Sequence, residues 1–199
     1  MKKTSAATFD EFSSGVKLWW TEGDGVEASR PSHCAACGVA AHTGDGRLRL
    51  HGHGSRERTV WGPTLLGTAP ALSSVRVRRY KCTACGAART VLPRGLGRLL
   101  RYSLSAVALA LTAWALWLLP AAEVRAQLSP LRLCGAADAE RWRSLPRWAR
   151  RAAALFRLPP GAGEAAPRQK AARAAQLVRA RGPTGAPEAA RVVIGAHAG

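Results

Sequence analysis

Apolar and polar residues alternate with period two at Arg47-Leu48-Arg49-Leu50-His51, the signature of a half-buried strand. Gly52-His53-Gly54-Ser55 has the composition of a turn, so residues 56–61 are expected to return as the partner strand of a hairpin. Residues 62–73, with Gly, Pro and Ser, read as a loop. Val75-Arg76-Val77-Arg78-Arg79-Tyr80 alternates again and runs into Cys82. A short strand at 89–92 stops at Pro93, which has no amide to give a ladder. The outward positions of these strands are Arg47, Arg49, Arg76 and Arg78, a basic face.

The period then lengthens. Residues 102–119 are eighteen without a charge, entered through Ser103, a good N-cap, and ended by Pro120. That length is marginal for a membrane span. Eight of the eighteen are Ala, Ser or Thr, and arginines crowd both flanks, with Arg94, Arg98 and Arg101 before and Arg125, Arg132 and Arg141 after. Both features favour a helix buried in a small bundle. Residues 121–128 form a short helix closed by Ser129-Pro130. Ser144 is expected to cap a helix through Phe156, with Pro146 tolerated in its first turn. Leu145, Trp148, Ala149, Ala152 and Leu155 share one face of it; Arg147, Arg150 and Arg151, with Arg141 and Arg143 just outside, occupy another. Three such helices are the layout of a trihelical helix-turn-helix module. Beyond Pro159 the chain is rich in Pro, Gly and Ala, with helix expected at 168–181 and 187–198.

Four cysteines change the picture. Cys34 and Cys37 lie in His-Cys-Ala-Ala-Cys-Gly, and Cys82 and Cys85 in Lys-Cys-Thr-Ala-Cys-Gly, 44 residues apart. A two-residue spacer lets both thiolates of a knuckle face one point, and the following glycine lets the backbone turn tightly. Two knuckles supply the four thiolates of a closed, structural zinc site with no open position for catalysis. Disulfides are not expected, since no apolar leader marks the chain for secretion, and redox C-x-x-C motifs come singly beside a βαβ pattern. His33, His42, His51 and His53 lie nearby; His33, beside Cys34, is the best placed to replace a cysteine. Cys134, unpaired, reads as a small buried apolar residue.

Charge adds a partner. Thirty Lys and Arg stand against twelve Asp and Glu, a net of +18. Residues 28–157 hold 21 basic and 5 acidic side chains, and every basic one except Lys81 is arginine, the better bidentate ligand for phosphate. This density points to nucleic acid or an anionic membrane face. The expected class is α+β. An acidic, disordered leader spans 1–32, in which residues 16–20 (Val-Lys-Leu-Trp-Trp) are a docking patch. A zinc ribbon follows at 33–93, a helix-turn-helix-like module at 98–157 and a low-complexity, partly helical tail at 158–199. After the knuckles the only acids are Glu123, Asp138, Glu140, Glu164 and Glu188, and none follows a strand, so carboxylate-held metal chemistry has no framework. Nucleophile and phosphate-cradling motifs are also missing. The chain reads as a binding protein and not an enzyme.

Cys34-x-x-Cys37, Leu48-x-Leu50-His51-Gly52-His53-Gly54, Val77-Arg78-Arg79-Tyr80-x-Cys82-x-x-Cys85, Leu92-Pro93-Arg94-Gly95, Tyr102-Ser103 and Trp142-Arg143-Ser144-Leu145-x-Arg147-Trp148 together resemble a transposon-associated zinc-binding family of unknown function. They are also similar to the zinc-ribbon and helix-turn-helix regions of insertion-sequence transposases. The resemblance covers residues 33–157 and implies recognition of DNA ends or an accessory role beside a transposase. The leading expectation is a cytoplasmic, Zn2+-stabilised DNA-binding protein, with Arg147, Arg150 and Arg151 contacting the groove and Arg141 and Arg143 the backbone. The alternatives are a single-span inner-membrane protein (102–119) with a cytoplasmic zinc ribbon, and a zinc-ribbon adaptor for acidic protein partners.

Overall fold

The computed structural model describes residues 29–62, 70–93, 95–98, 100–129, 142–159 and 165–198. Most of the acidic leader with its Trp19-Trp20 patch, most of the 62–73 loop, Cys134 and Arg141 lie outside the described residues. The chain is α+β and divides into two compact units. The first comprises residues up to 59 together with 74–94, and the second residues 60–73 and 95–199.

Three strands, β1 (Leu50–Gly62), β2 (Ala71–Cys82) and β3 (Ala88–Val91), form a sheet in the order β1-β2-β3. β3 runs antiparallel to β2, with Arg78 opposite Val91 and Lys81 opposite Ala88. In β2, Val75 and Val77 are buried, then Tyr80 and Cys82, while Arg76 and Arg79 are exposed and Arg78 is half-buried. The expected alternation is present, with its parity slipping by one at Arg78-Arg79. Arg30 reaches over the Tyr80 ring, its guanidinium carbon 5.6 Å from the centroid.

The expected hairpin of 47–51 with 56–61 does not form. β1 is one continuous strand through the Gly-His-Gly-Ser segment, and Arg47-Leu48-Arg49 precedes it. Gly54 sits at φ +79° inside the strand, a kink that only glycine absorbs cheaply. The local turn signal is overridden by sheet formation, in which β1 is hydrogen-bonded to β2.

The second unit has five helices among the described residues: α1 (Leu104–Ala115), α2 (Ala121–Leu128), α3 (Ser144–Leu155), α4 (Pro167–Ala180) and α5 (Glu188–Gly195). α1 is the centre. It packs against α2, α3, α4 and α5, and buries Ser105 through Ala113 without a polar side. A helix that is apolar all round belongs inside a core or a bilayer, and here it is a core. Ser103 accepts from the Ala106 amide at 3.1 Å, the expected N-cap. Thr112, fully buried, donates to the Ala108 carbonyl at 2.9 Å, so its hydroxyl is satisfied within the helix. α1 ends after twelve residues, and no helix among the described residues is long and apolar enough to cross a membrane.

At the start of α1, Tyr102 is ringed edge-on by Trp61, Trp142 and Trp148, with centroids 5.4, 5.7 and 5.0 Å away. Its hydroxyl donates to Ser129 Oγ at 3.0 Å. Burial pushes the Tyr102 pKa up, and that hydrogen bond only partly offsets it.

α3 buries Leu145, Trp148, Ala149 and Ala152, as its apolar stripe requires, with Leu155 half-buried. Its start differs from expectation: Arg143 takes the N-cap position with no side-chain cap, and Ser144 is already helical. Pro146 falls in the first turn, where a missing amide costs nothing.

The segment set apart as a tail, 158–199, supplies two packed helices of this unit. α4 and α5 occupy the expected spans, and α4 packs against α1, α3 and α5. Its buried residues are Ala171, Ala174, Ala175 and Val178, a stripe of small side chains that lets backbones approach closely. At the α4–α5 contact a side chain on Gly195 would collide with the Val178 carbonyl. The alanine bias that resembled low complexity is therefore the packing surface.

Candidate metal centre

Each cysteine pair sits on a tight turn, and the two turns are near copies. The Gly38 amide donates to the Cys34 carbonyl at 2.8 Å and the Gly86 amide to the Cys82 carbonyl at 2.9 Å. The Cys34 amide donates to Val39 and the Cys82 amide to Ala87, at 2.8 and 2.9 Å. Gly38 and Gly86 have φ of +74° and +72°, the left-handed region, while a Cβ on either would meet nothing within 4 Å. Backbone conformation alone, and not crowding, demands glycine at both.

The sequence between the pairs brings the turns together. The Ala41 amide donates to Ser32 and the Arg49 amide to Ala41, which folds the chain back past the first knuckle. The Thr83 amide, 2.9 Å from the Arg49 carbonyl, then fastens the second knuckle to that segment. This backbone link was not legible in the sequence, because neither residue type announces it. Cys34, Cys82, Ala41 and Leu50, with Val39 beside them, form a small apolar cluster beneath the sulfurs.

All four sulfurs lie within 4.8 Å of one another. Cys34 Sγ is 3.7 Å from Cys85 Sγ, and Cys37 Sγ is 3.8 Å from Cys82 Sγ. A zinc–thiolate bond of about 2.3 Å places the corners of a regular tetrahedron about 3.8 Å apart. Two of the sulfur pairs thus stand at the edge length that a four-thiolate metal ion requires, and the others lie within 4.8 Å, whereas a disulfide needs about 2.05 Å. These cysteines are free. Cys34 and Cys82 are buried, and Cys37 and Cys85 are exposed.

The electrostatics agree. The amides of Ala36 and Cys37 favour the Cys34 thiolate, lowering its pKa to about 6; the Ala36 amide lies 3.5 Å from its sulfur. At Cys37 the Val39 amide favours the thiolate, but the Cys85 sulfur, burial, and the Cys34 and Cys82 sulfurs outweigh it and push the pKa up to about 12. Four thiolates at this spacing repel one another, and a divalent cation at their centre removes that repulsion.

No histidine joins the cluster among the described residues. His33, His42, His51 and His53 are exposed, and His33 instead has Nδ1 3.1 Å from Ser32 Oγ.

The expected nucleic-acid contacts fall on both units. In the cysteine unit Arg47, Arg49 and Arg76 are exposed and Arg78 is half-buried; Arg47 pairs with Asp45 at 3.3 Å. In the helical unit Arg143, Arg147, Arg150 and Arg151 are exposed along α3. Comparison with protein families, curated proteins and solved structures finds no match for this chain.

Proposed function

We propose that this chain is a zinc-stabilised DNA-binding protein of the cytoplasm, a binding protein and not an enzyme. The observation that carries the reading is the division of labour in its side chains. Cysteines and apolar residues hold the two units, and the charge left outside is overwhelmingly arginine, within a net of +18. Zinc is the metal favoured by four thiolates at tetrahedral spacing, and it acts on structure, not on substrate. Phosphate is the anion that guanidinium groups bind best.

The test is a titration of a labelled duplex at rising salt. Each neutralised phosphate releases counterion, so affinity should fall steeply as salt increases. A nearly flat salt dependence would remove the electrostatic basis of the reading. An association with mobile elements rests on the motif resemblance given above, and a transposase gene beside this one would support it.

A further inference from the structure

α3 is built against the ordinary preferences of a helix. α1 has the Ser103 cap, and α2 and α5 carry Glu123 and Glu188 in their first turns, where a carboxylate complements the helix dipole. α3, like α4, has neither a capping side chain nor an acid in its first turn, but it alone among the described helices has an arginine at its N-cap. Arg147 follows one turn later and Arg151 one turn after that, so Arg143–Arg147 and Arg147–Arg151 are like charges four apart, each a cost to the helix. None of Arg143, Arg147, Arg150 and Arg151 has a hydrogen-bond or ion-pair partner among the described residues. A helix that breaks local rules on one face, while packing correctly on the other, marks a functional surface.

The exposed residues of that face decide how it is used. Within α3 they are Arg147, Arg150, Arg151, Ala153 and Ala154. No exposed Asn, Gln, Asp or Glu is present to pair with adenine or cytosine edges. From Arg143 to Arg151 the helix advances about 12 Å, long enough to bring its arginines to more than one phosphate of a strand.

We propose that α3 follows the phosphate backbone of duplex DNA without reading its sequence. This rests on the DNA-binding reading above and specifies its mode: Arg143, Arg147, Arg150 and Arg151 neutralise successive phosphates, and the DNA charge relieves their mutual repulsion. The experiment measures anisotropy of the zinc-loaded full chain with duplexes of random sequence and of differing GC content. Affinities within a few-fold of one another are expected. The triple variant R147A/R150A/R151A should bind on the order of tenfold to hundredfold more weakly and lower the slope of log affinity against log salt by about 2 to 3. Its helical content should be unchanged, since these side chains are exposed. The triple Arg→Lys variant should keep most of the binding and the full salt slope, because the charge that releases counterion is retained. Tight binding confined to one sequence, or lost in the lysine variant, would overturn backbone tracking and leave DNA binding standing. Binding undiminished in the alanine variant would overturn the role of α3. Failure to bind any duplex at low salt would overturn both.

Discussion

The two units are stabilised by different means. In the cysteine unit the interior around the sulfurs is only Cys34, Ala41, Leu50 and Cys82 with Val39, and Val75, Val77 and Tyr80 are buried along β2. In the helical unit Val107, Leu109, Leu111, Val124, Leu145, Val178 and Val192 are essentially inaccessible, and three tryptophans close around Tyr102. One unit gathers four sulfurs that could hold a metal ion, the other is held by burial. The difference teaches where each is vulnerable, and each can be attacked while the other serves as control.

Removing the metal has the largest expected effect. Metal binding supplies roughly 10 kcal/mol or more of folding free energy in small zinc units. Chelation, or Cys→Ser at Cys34, Cys37, Cys82 or Cys85, should therefore abolish the ordered structure of the cysteine unit. The helical circular dichroism signal should persist. Metal analysis of reduced, freshly purified protein should return one zinc per chain, and protein without zinc would refute the assignment.

The converse attack is Leu111→Asp. Leu111 is 1% exposed in the middle of α1, which four other helices contact. A carboxylate there must stay buried and unpaired or take up a proton, and the leucine packing is lost as well, a cost of about 5 kcal/mol or more. Helical signal should collapse while zinc content stays at one per chain. Loss of zinc with the helices would show that the units do not fold separately.

The smallest effect is set by His197. Its ring nitrogen Nε2 lies 2.6 Å from Ser105 Oγ in the first turn of α1. Burial lowers its pKa from the ordinary 6.5. The folded chain therefore prefers the neutral ring, and the unfolded chain binds more protons below about pH 6.5. Stability of the helical unit should be at its plateau above that pH and decline as pH falls toward the depressed value. Melting temperatures at pH 7.5 and 5.5 should differ more for the wild type than for His197→Gln. An equal difference in both proteins would dismiss the histidine as the cause.

Legibility in the sequence follows the same division. The knuckles were readable because cysteine spacing and a following glycine specify one local geometry. Ser103 and the buried stripe of α3 were readable for a similar reason, since capping and helical period are local rules. What escaped was decided at long range. The Gly52-His53-Gly54-Ser55 segment carries a turn composition yet lies within β1, a strand whose partner β2 is distant in sequence. The helices after residue 158 were readable as spans but not as core, because alanines announce a packing surface only when a partner backbone comes close. Ser144 looked like a cap, and the chain enters the helix one residue earlier.

One feature of α4 ties the end of the chain to its middle. Near its start, Arg168 donates through Nε and a terminal nitrogen to the Trp114 carbonyl at 3.1 and 2.8 Å, and lies over the Trp114 ring, 5.7 Å from its centroid. At its other end, Arg181 donates to the Phe156 and Arg157 carbonyls at 2.6 and 3.0 Å. Carbonyls at the C-terminal end of α1 and just beyond α3 are thus satisfied by residues synthesised later. During translation all four cysteines leave the ribosome ahead of α1, so a metal ion could be captured before the helical unit is complete. The helical unit must wait for residues 168–195, and until then α1 presents an apolar surface on every side. A nascent chain paused near residue 160 would carry a finished metal centre and an unfinished core, the species that a chaperone would bind.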